Sequence, residues 1–218
     1  FTAKAQDKVE ASVGADFVSN YIWRGTDCGG VSIQPSMGVS YKGLSLAAWG
    51  SVGIDKEDAR EIDLTLGYNT GGFNVSVTDY WFSYHKEDGG YTGDYFKYGA
   101  HSTIHIFEAT LGYDFGPLAL SWNTYFAGDD YTKENGDRAY STYVGISAPF
   151  KLGGLDWSAE VGLTPWEGAY ANKFNVTNLT LKAEKEIKFT NSFSLPTFAQ
   201  VTFNPHTQGA YFVFGVSF

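Results

Sequence analysis

A chain of 218 residues with 26 glycines, 17 phenylalanines and 15 tyrosines but one methionine suits pleated sheet and is poor material for long helices. Its formal charge of −9 leaves no basic stripe to neutralise phosphates, which excludes nucleic acid as a partner, and the single cysteine, Cys28, excludes an intramolecular disulfide framework. Nowhere do the roughly 18 consecutive apolar residues of a helical membrane span occur, although a strand-built span would hide its apolar face from such a count.

At the start, Ala3-Lys4-Ala5 has the small-x-small form of a secretory cleavage site and would make Gln6 the mature start. Residues 1–6 are read either as a signal-peptide remnant or as a flexible N-terminus, and residues 7–218 as one barrel domain. Alternation then runs along the chain. Apolar residues fall at Val9, Ala11, Val13, Ala15 and Phe17, and again at every second position from Val31 to Tyr41 with Ser32, Gln34, Ser36, Gly38 and Ser40 between them. The period of two returns in Leu44-Leu46-Ala48, Ile62-Leu64-Leu66-Tyr68, Phe73-Val75-Val77, Phe107-Ala109-Leu111-Tyr113, Leu118-Leu120-Trp122 and Tyr140-Thr142-Val144-Ile146. It continues in Leu155 to Leu163, Leu179-Leu181-Ala183, Phe193 to Phe203 and Ala210 to Phe218. Twelve such runs predict strands with one greasy and one polar face.

Connections alternate in length. Lys42-Gly43, Asn69 to Gly72, Asp114 to Pro117 and Lys151 to Gly154 read as tight turns, whereas Thr26 to Gly30, Asp55 to Arg60, His85 to Ser102, Gly128 to Arg138 and Pro165 to Asn175 read as long polar loops. Aromatic residues collect near both sets of strand ends, as two interfacial girdles require. The expectation is an all-β, closed, antiparallel, up-and-down transmembrane barrel of about twelve strands in the outer membrane of a Gram-negative bacterium, with both termini periplasmic. A soluble sandwich or lipocalin-like barrel, with its aromatics turned inward, is the alternative.

The stretch Ser19-Asn20-Tyr21-Ile22-Trp23-Arg24-Gly25 resembles the opening motif of the TorF-like porin family, and Gly43 to Ser51, Glu61-Ile62-Asp63 with Leu66-Gly67-Tyr68, and Glu108 to Tyr113 resemble its later blocks. Thr26-Asp27-Cys28 departs from the family's usual Ile-Ser-Gln. The end, Tyr211 to Phe218, resembles the C-terminal signal of outer-membrane proteins, which implies the barrel-assembly machinery as a partner acting through Phe218. The resemblance implies an outer-membrane channel.

Strand parity also sorts the interior. Expected pore-lining residues are Asp16, Arg24, Trp49, Asp63, Glu108, Tyr143, Glu160 and Lys182, with Arg24 near the outer mouth. Charges at these positions are expected inside because lipid would reject them. Asp16, Asp63, Glu108 and Glu160 would form a negative ring favouring small cations or polar neutral solutes, giving a narrow passive channel. Alternatively they pair with Lys182, Arg24 and tyrosine hydroxyls and knit the lumen shut, leaving a non-conducting structural or accessory subunit of a larger outer-membrane complex. Partners are then outer-membrane lipids and other outer-membrane proteins. The acidic loop groups Lys56-Glu57-Asp58, Lys86-Glu87-Asp88 and Asp129-Asp130 with Glu134 and Asp137 read as solvated tips, with calcium binding the sharper alternative. His101 and His105 share a strand face but stand about 13 Å apart in extended chain, too far to share one ion. No cofactor, metal site or catalytic residue is expected.

Overall fold

The computed structural model describes residues 8–55, 57–84, 86, 90, 92–191 and 193–218, so the signal-site reading of residues 1–6 and the loop residues Lys56, Glu87 and Asp88 lie outside the described residues. Among the described residues the strands are β1 (Glu10–Val18), β2 (Tyr21–Trp23), β3 (Thr26–Gly29), β4 (Ser32–Tyr41), β5 (Leu44–Gly53), β6 (Arg60–Thr70) and β7 (Phe73–Ser83). They continue with β8 (Ile106–Asp114), β9 (Ala119–Gly128), β10 (Thr142–Leu152), β11 (Leu155–Thr164), β12 (Asn175–Lys188), β13 (Ser194–Asn204) and β14 (Gly209–Ser217). Twelve of them, all but β2 and β3, close into an antiparallel barrel in which β4 to β14 follow chain order and β1 joins β14 to β4.

Side-chain parity carries across the ladder. Val13 stands beside Met37, Met37 beside Ala48 and Ala48 beside Leu64, so one outward row crosses four strands. Register is fixed because a slip of one residue would exchange the two faces. The greasy face looks out: Ile33, Leu64, Leu111 and Phe214 are 50, 39, 51 and 50% exposed. Polar residues look in, with Glu108, Thr202 and Asn123 only 1, 1 and 5% exposed. A soluble barrel has the opposite arrangement.

At one rim the connections are tight. Lys42-Gly43, Gly71-Gly72 and Gly153-Gly154 have positive φ at both central positions, the type I′ geometry whose twist matches that of the flanking strands. The ladder therefore continues through Asn69-Thr70 and Lys151-Leu152, which the sequence places in turns. The opposite, loop-bearing rim carries the longer connections, apart from the short Pro205–Gln208 link between β13 and β14. Closure pairs Asp16 with Ser217, Phe17 with Val216 and Val18 with Gly215, and Ala15 and Phe218 exchange backbone hydrogen bonds of 3.2 and 2.9 Å. The seam thus joins the C-terminal ends of the first and last barrel strands.

Candidate functional site

The segment between β1 and β4, of which Thr26 to Gly30 is read from sequence as a loop, is a hairpin folded into the barrel. Tyr21-Ile22-Trp23 and Thr26-Asp27-Cys28-Gly29 pair as β2 and β3 around Arg24-Gly25, whose φ angles of 51° and 79° make another type I′ turn. Aromatic residues drive it inward: the Tyr21 ring lies 5.4 Å from Trp49, and Trp23 lies 5.6 Å from Tyr80. Gly25 is required at the tip, since a Cβ there would stand 2.0 Å from the Thr177 carbonyl oxygen. Asn204 Nδ2 donates to the Gly25 carbonyl at 3.0 Å, which pins the tip to β13.

Arg24 is the anchor. Its guanidinium grips Glu108 from both nitrogens, at 2.5 and 2.8 Å, and donates to the Tyr170 hydroxyl at 2.5 Å. Tyr80 donates to Glu108 at 3.0 Å, and Tyr170 donates to Tyr125 at 3.1 Å. The Arg24 Cζ also sits 4.2 Å above the Trp23 ring and 4.8 Å from the Tyr143 ring. With Arg24 and Glu108 side chains 11 and 1% exposed, removal of either charge would strand the other, buried and without its counter-ion. Tyr170 comes from the connection between β11 and β12, so two loop-rim segments meet inside the barrel.

The hairpin divides the lumen. Toward the turn rim lies a chamber of about 320 Å³ under Trp23, Arg24 and Gly25, walled by polar residues of β9 to β13. Toward the loop rim lies another of about 280 Å³, bordered by Tyr21, Asp27, Cys28, Glu61, Tyr125 and Tyr170. Trp23 faces both. Burial beside Glu61 and Asp27 pushes the Cys28 thiol up to about 12, which disfavours the thiolate near neutral pH.

The expected pore-lining residues fall into several places. Glu108, Tyr143 and Glu160 belong to the network around the hairpin: Tyr143 donates to Glu160 at 2.5 Å, and Asn178 donates to the same oxygen at 3.1 Å. Arg24 is not a free cation near the mouth, as parity alone suggests, but the tip of the inserted hairpin. Trp49 packs on Tyr21. Asp63 stands opposite Trp49 and Tyr80 in register, one inward position from Glu61, which is 4% exposed and escaped the sequence reading. Asp16 takes part in the closing seam opposite Ser217. Lys182 turns to Glu184, 2.6 Å away, and to the Phe198 ring rather than to the four carboxylates. The carboxylates therefore do not form one free negative ring. Tyr170, another residue missed, carried no periodic signal because it lies in a loop.

On the outer wall, Asp79 occupies an outward register position between Leu64 and Phe107. It is met by His105, fully covered, whose Nδ1 lies 2.7 Å from its carboxylate and whose Nε2 lies 2.7 Å from the Tyr95 carbonyl. Both ring nitrogens are thus engaged, one by the Asp79 carboxylate and the other by the Tyr95 carbonyl. Tyr98 donates to Asp79 at 3.1 Å and its ring covers the imidazole at 4.2 Å. His101 lies apart in the connection, exposed and at φ 63°. Among the described residues no three His, Cys, Asp or Glu side chains converge in a metal-holding group; in the acidic loop after β9, Asp130 accepts from Ser141 Oγ and Asp137 from Asn135. No protein-family model matches the chain, and no curated protein matches it.

Proposed function

We propose that the chain is a barrel of the bacterial outer membrane, of the kind its resemblance to the TorF-like porins implies, and that it is a narrow passive channel for small polar or cationic solutes whose resting state is closed by its own hairpin. The exposed apolar belt supports the membrane location: an outward surface carrying Leu, Val and Phe at every second position is matched by hydrocarbon and not by water. The turn rim is then periplasmic and the loop rim external, and Phe218 is the handle for the assembly machinery.

The observation that carries the channel reading is the pair of chambers that share Trp23 of the inserted hairpin, which belongs to a loop rather than to the wall. A plug built from a loop can leave without opening the barrel. Asp27 and Glu61 give the external chamber an acidic lining, which favours cations at that mouth. The bidentate Arg24–Glu108 contact favours a second reading, a permanently filled barrel serving as an accessory subunit.

Planar-bilayer recording separates the two. Wild-type barrel is expected to show rare, brief openings, and a variant with residues 21–29 replaced by a short turn is expected to conduct continuously. In that variant, Glu61→Gln with Asp63→Asn should lower the cation-to-anion permeability ratio. A hairpin-free barrel that stays silent, though folded by its heat-resistant migration, would establish the accessory reading.

A further inference from the structure

The turn-side chamber has a chemistry of its own. Half of its lining is Ser121, Asn123, Asn178, Thr180, Gln200 and Thr202, none of them charged and all able both to donate and to accept. They hold one another in place: Asn123 donates to Ser121 at 3.2 Å, Thr180 to Asn178 at 2.8 Å and Gln200 to Thr202 at 3.1 Å. Thr180 and Thr202 share a hydroxyl contact of 2.8 Å. These contacts fix the side chains before any solute arrives and leave capacity over, since none of them occupies the Gln200 carbonyl oxygen or the second Glu160 oxygen.

Charge is balanced and engaged. The chamber sees one cation, Arg24, and one anion, Glu160. An anionic solute would have to draw Arg24 from Glu108, and a cationic one would compete with the Tyr143 and Asn178 donors on Glu160. Neither class gains from a chamber of net zero charge. A neutral solute whose groups each donate and accept gains from the positions this network leaves over, the Gln200 carbonyl oxygen, the Ser121 hydroxyl and the second Glu160 oxygen. At about 320 Å³, the space lies at the low end of the ~300–1,000 Å³ range of small-molecule pockets, which admits one ring-sized solute.

We propose that the chamber beneath the hairpin binds neutral polyhydroxylated solutes, single sugar rings or short polyols. This refines the solute class of the channel reading and rests on it for its physiological role, while the binding itself needs no conduction. The test is saturation-transfer NMR on the full barrel in a detergent without a sugar headgroup, with glucose and sorbitol as probes and putrescine and acetate as charged comparators. Transfer is expected to glucose and sorbitol and not to the comparators. Gln200→Leu with Thr180→Val, checked for folding by heat-resistant migration, should weaken polyol binding about tenfold, the effect of losing one or two net hydrogen bonds. Absence of transfer to either polyol, unchanged binding in that folded double variant, or stronger transfer to putrescine or acetate overturns the proposal. A barrel that conducts in bilayers without binding polyols keeps the channel and loses this site; one that binds without conducting keeps the site and loses the channel.

Discussion

Asp79 and Glu108 stand one rung apart on β7 and β8, one facing out beside Phe107 and the other facing in beside Thr78. Each is met by a nitrogen-bearing side chain that a connecting segment delivers: Arg24 from the inserted hairpin, His105 from the chain just before β8. The two pairs look alike and solve different problems. Inside, Glu108 has polar neighbours and tyrosine donors, so its ion pair fixes the inserted hairpin. Outside, Asp79 lies on the apolar face, and the Tyr95 and Tyr98 segment folds down the wall to cover it. Parity assigns each carboxylate its face, and the loops determine whether that face is tolerable.

The largest expected effect comes from breaking the inner pair. Glu108→Ala leaves a buried guanidinium without its carboxylate, a loss of about 3–5 kcal/mol that falls on the docked hairpin and not on the wall. Release should lower the Cys28 pKa toward the ordinary thiol range near 8.5, so maleimide labelling at pH 8 should rise at least about tenfold, together with more frequent openings in bilayers. The sign follows from the folded value of about 12: at pH 8 the docked thiol is almost wholly protonated, and undocking can only increase thiolate. Labelling that stays slow in Glu108→Ala would mean that Trp23 and Tyr21 hold the hairpin without the ion pair.

Breaking the outer pair should do something different. Asp79→Ala removes the acceptor of His105 Nδ1 and of the Tyr98 hydroxyl, at about 1–3 kcal/mol for groups left unsatisfied. The loss should appear as a lower urea midpoint in vesicles, with conductance and Cys28 labelling unchanged. Replacing both partners, Asp79→Leu with His105→Leu, should recover most of that midpoint, because hydrocarbon accepts the new side chains. A conductance change in Asp79→Ala would mean that the two faces are coupled through β7 and β8.

The barrel was legible because neighbouring strands repeat one rule: the period of two, read run by run, locates all twelve wall strands and the Lys42-Gly43 turn. The hairpin was not legible by that rule. Tyr21-Ile22-Trp23 is too short to establish a period, although Arg24-Gly25 has the same X-Gly form as Lys42-Gly43 and was the available signal. The partner of Arg24 lies 84 residues away, a distance no local pattern spans. Asp79 went unread, although the outward series Phe73-Val75-Val77 resumes at Trp81 only after an acid. What that acid required, a loop lying outside the barrel, depends on folding of the connection and leaves no period in the sequence.

The smallest effect sharpens the comparison between a turn in the lumen and one at the rim. Gly25 and Gly154 occupy the same second position of a type I′ turn, at φ 79° and 78°. An added methyl meets nothing within 4 Å at Gly154 but stands 2.0 Å from the Thr177 carbonyl oxygen at Gly25. Both substitutions carry the left-handed penalty of about 1–2 kcal/mol for a residue with a Cβ. At Gly154 that penalty falls on a rim turn supported by the long β10–β11 ladder, so Gly154→Ala should lower the urea midpoint slightly and leave Cys28 as slow to label as in the wild type. At Gly25 the added clash with β12 can be relieved only by backing the tip away, which stretches the Asn204 bond and the Arg24 grip. Gly25→Ala should therefore leave the midpoint nearly unchanged and speed Cys28 labelling a few-fold, less than Glu108→Ala does. Equal labelling in the two alanine variants would show that the tip sits loosely in the lumen, and the hairpin would then be a passenger in the barrel rather than its gate.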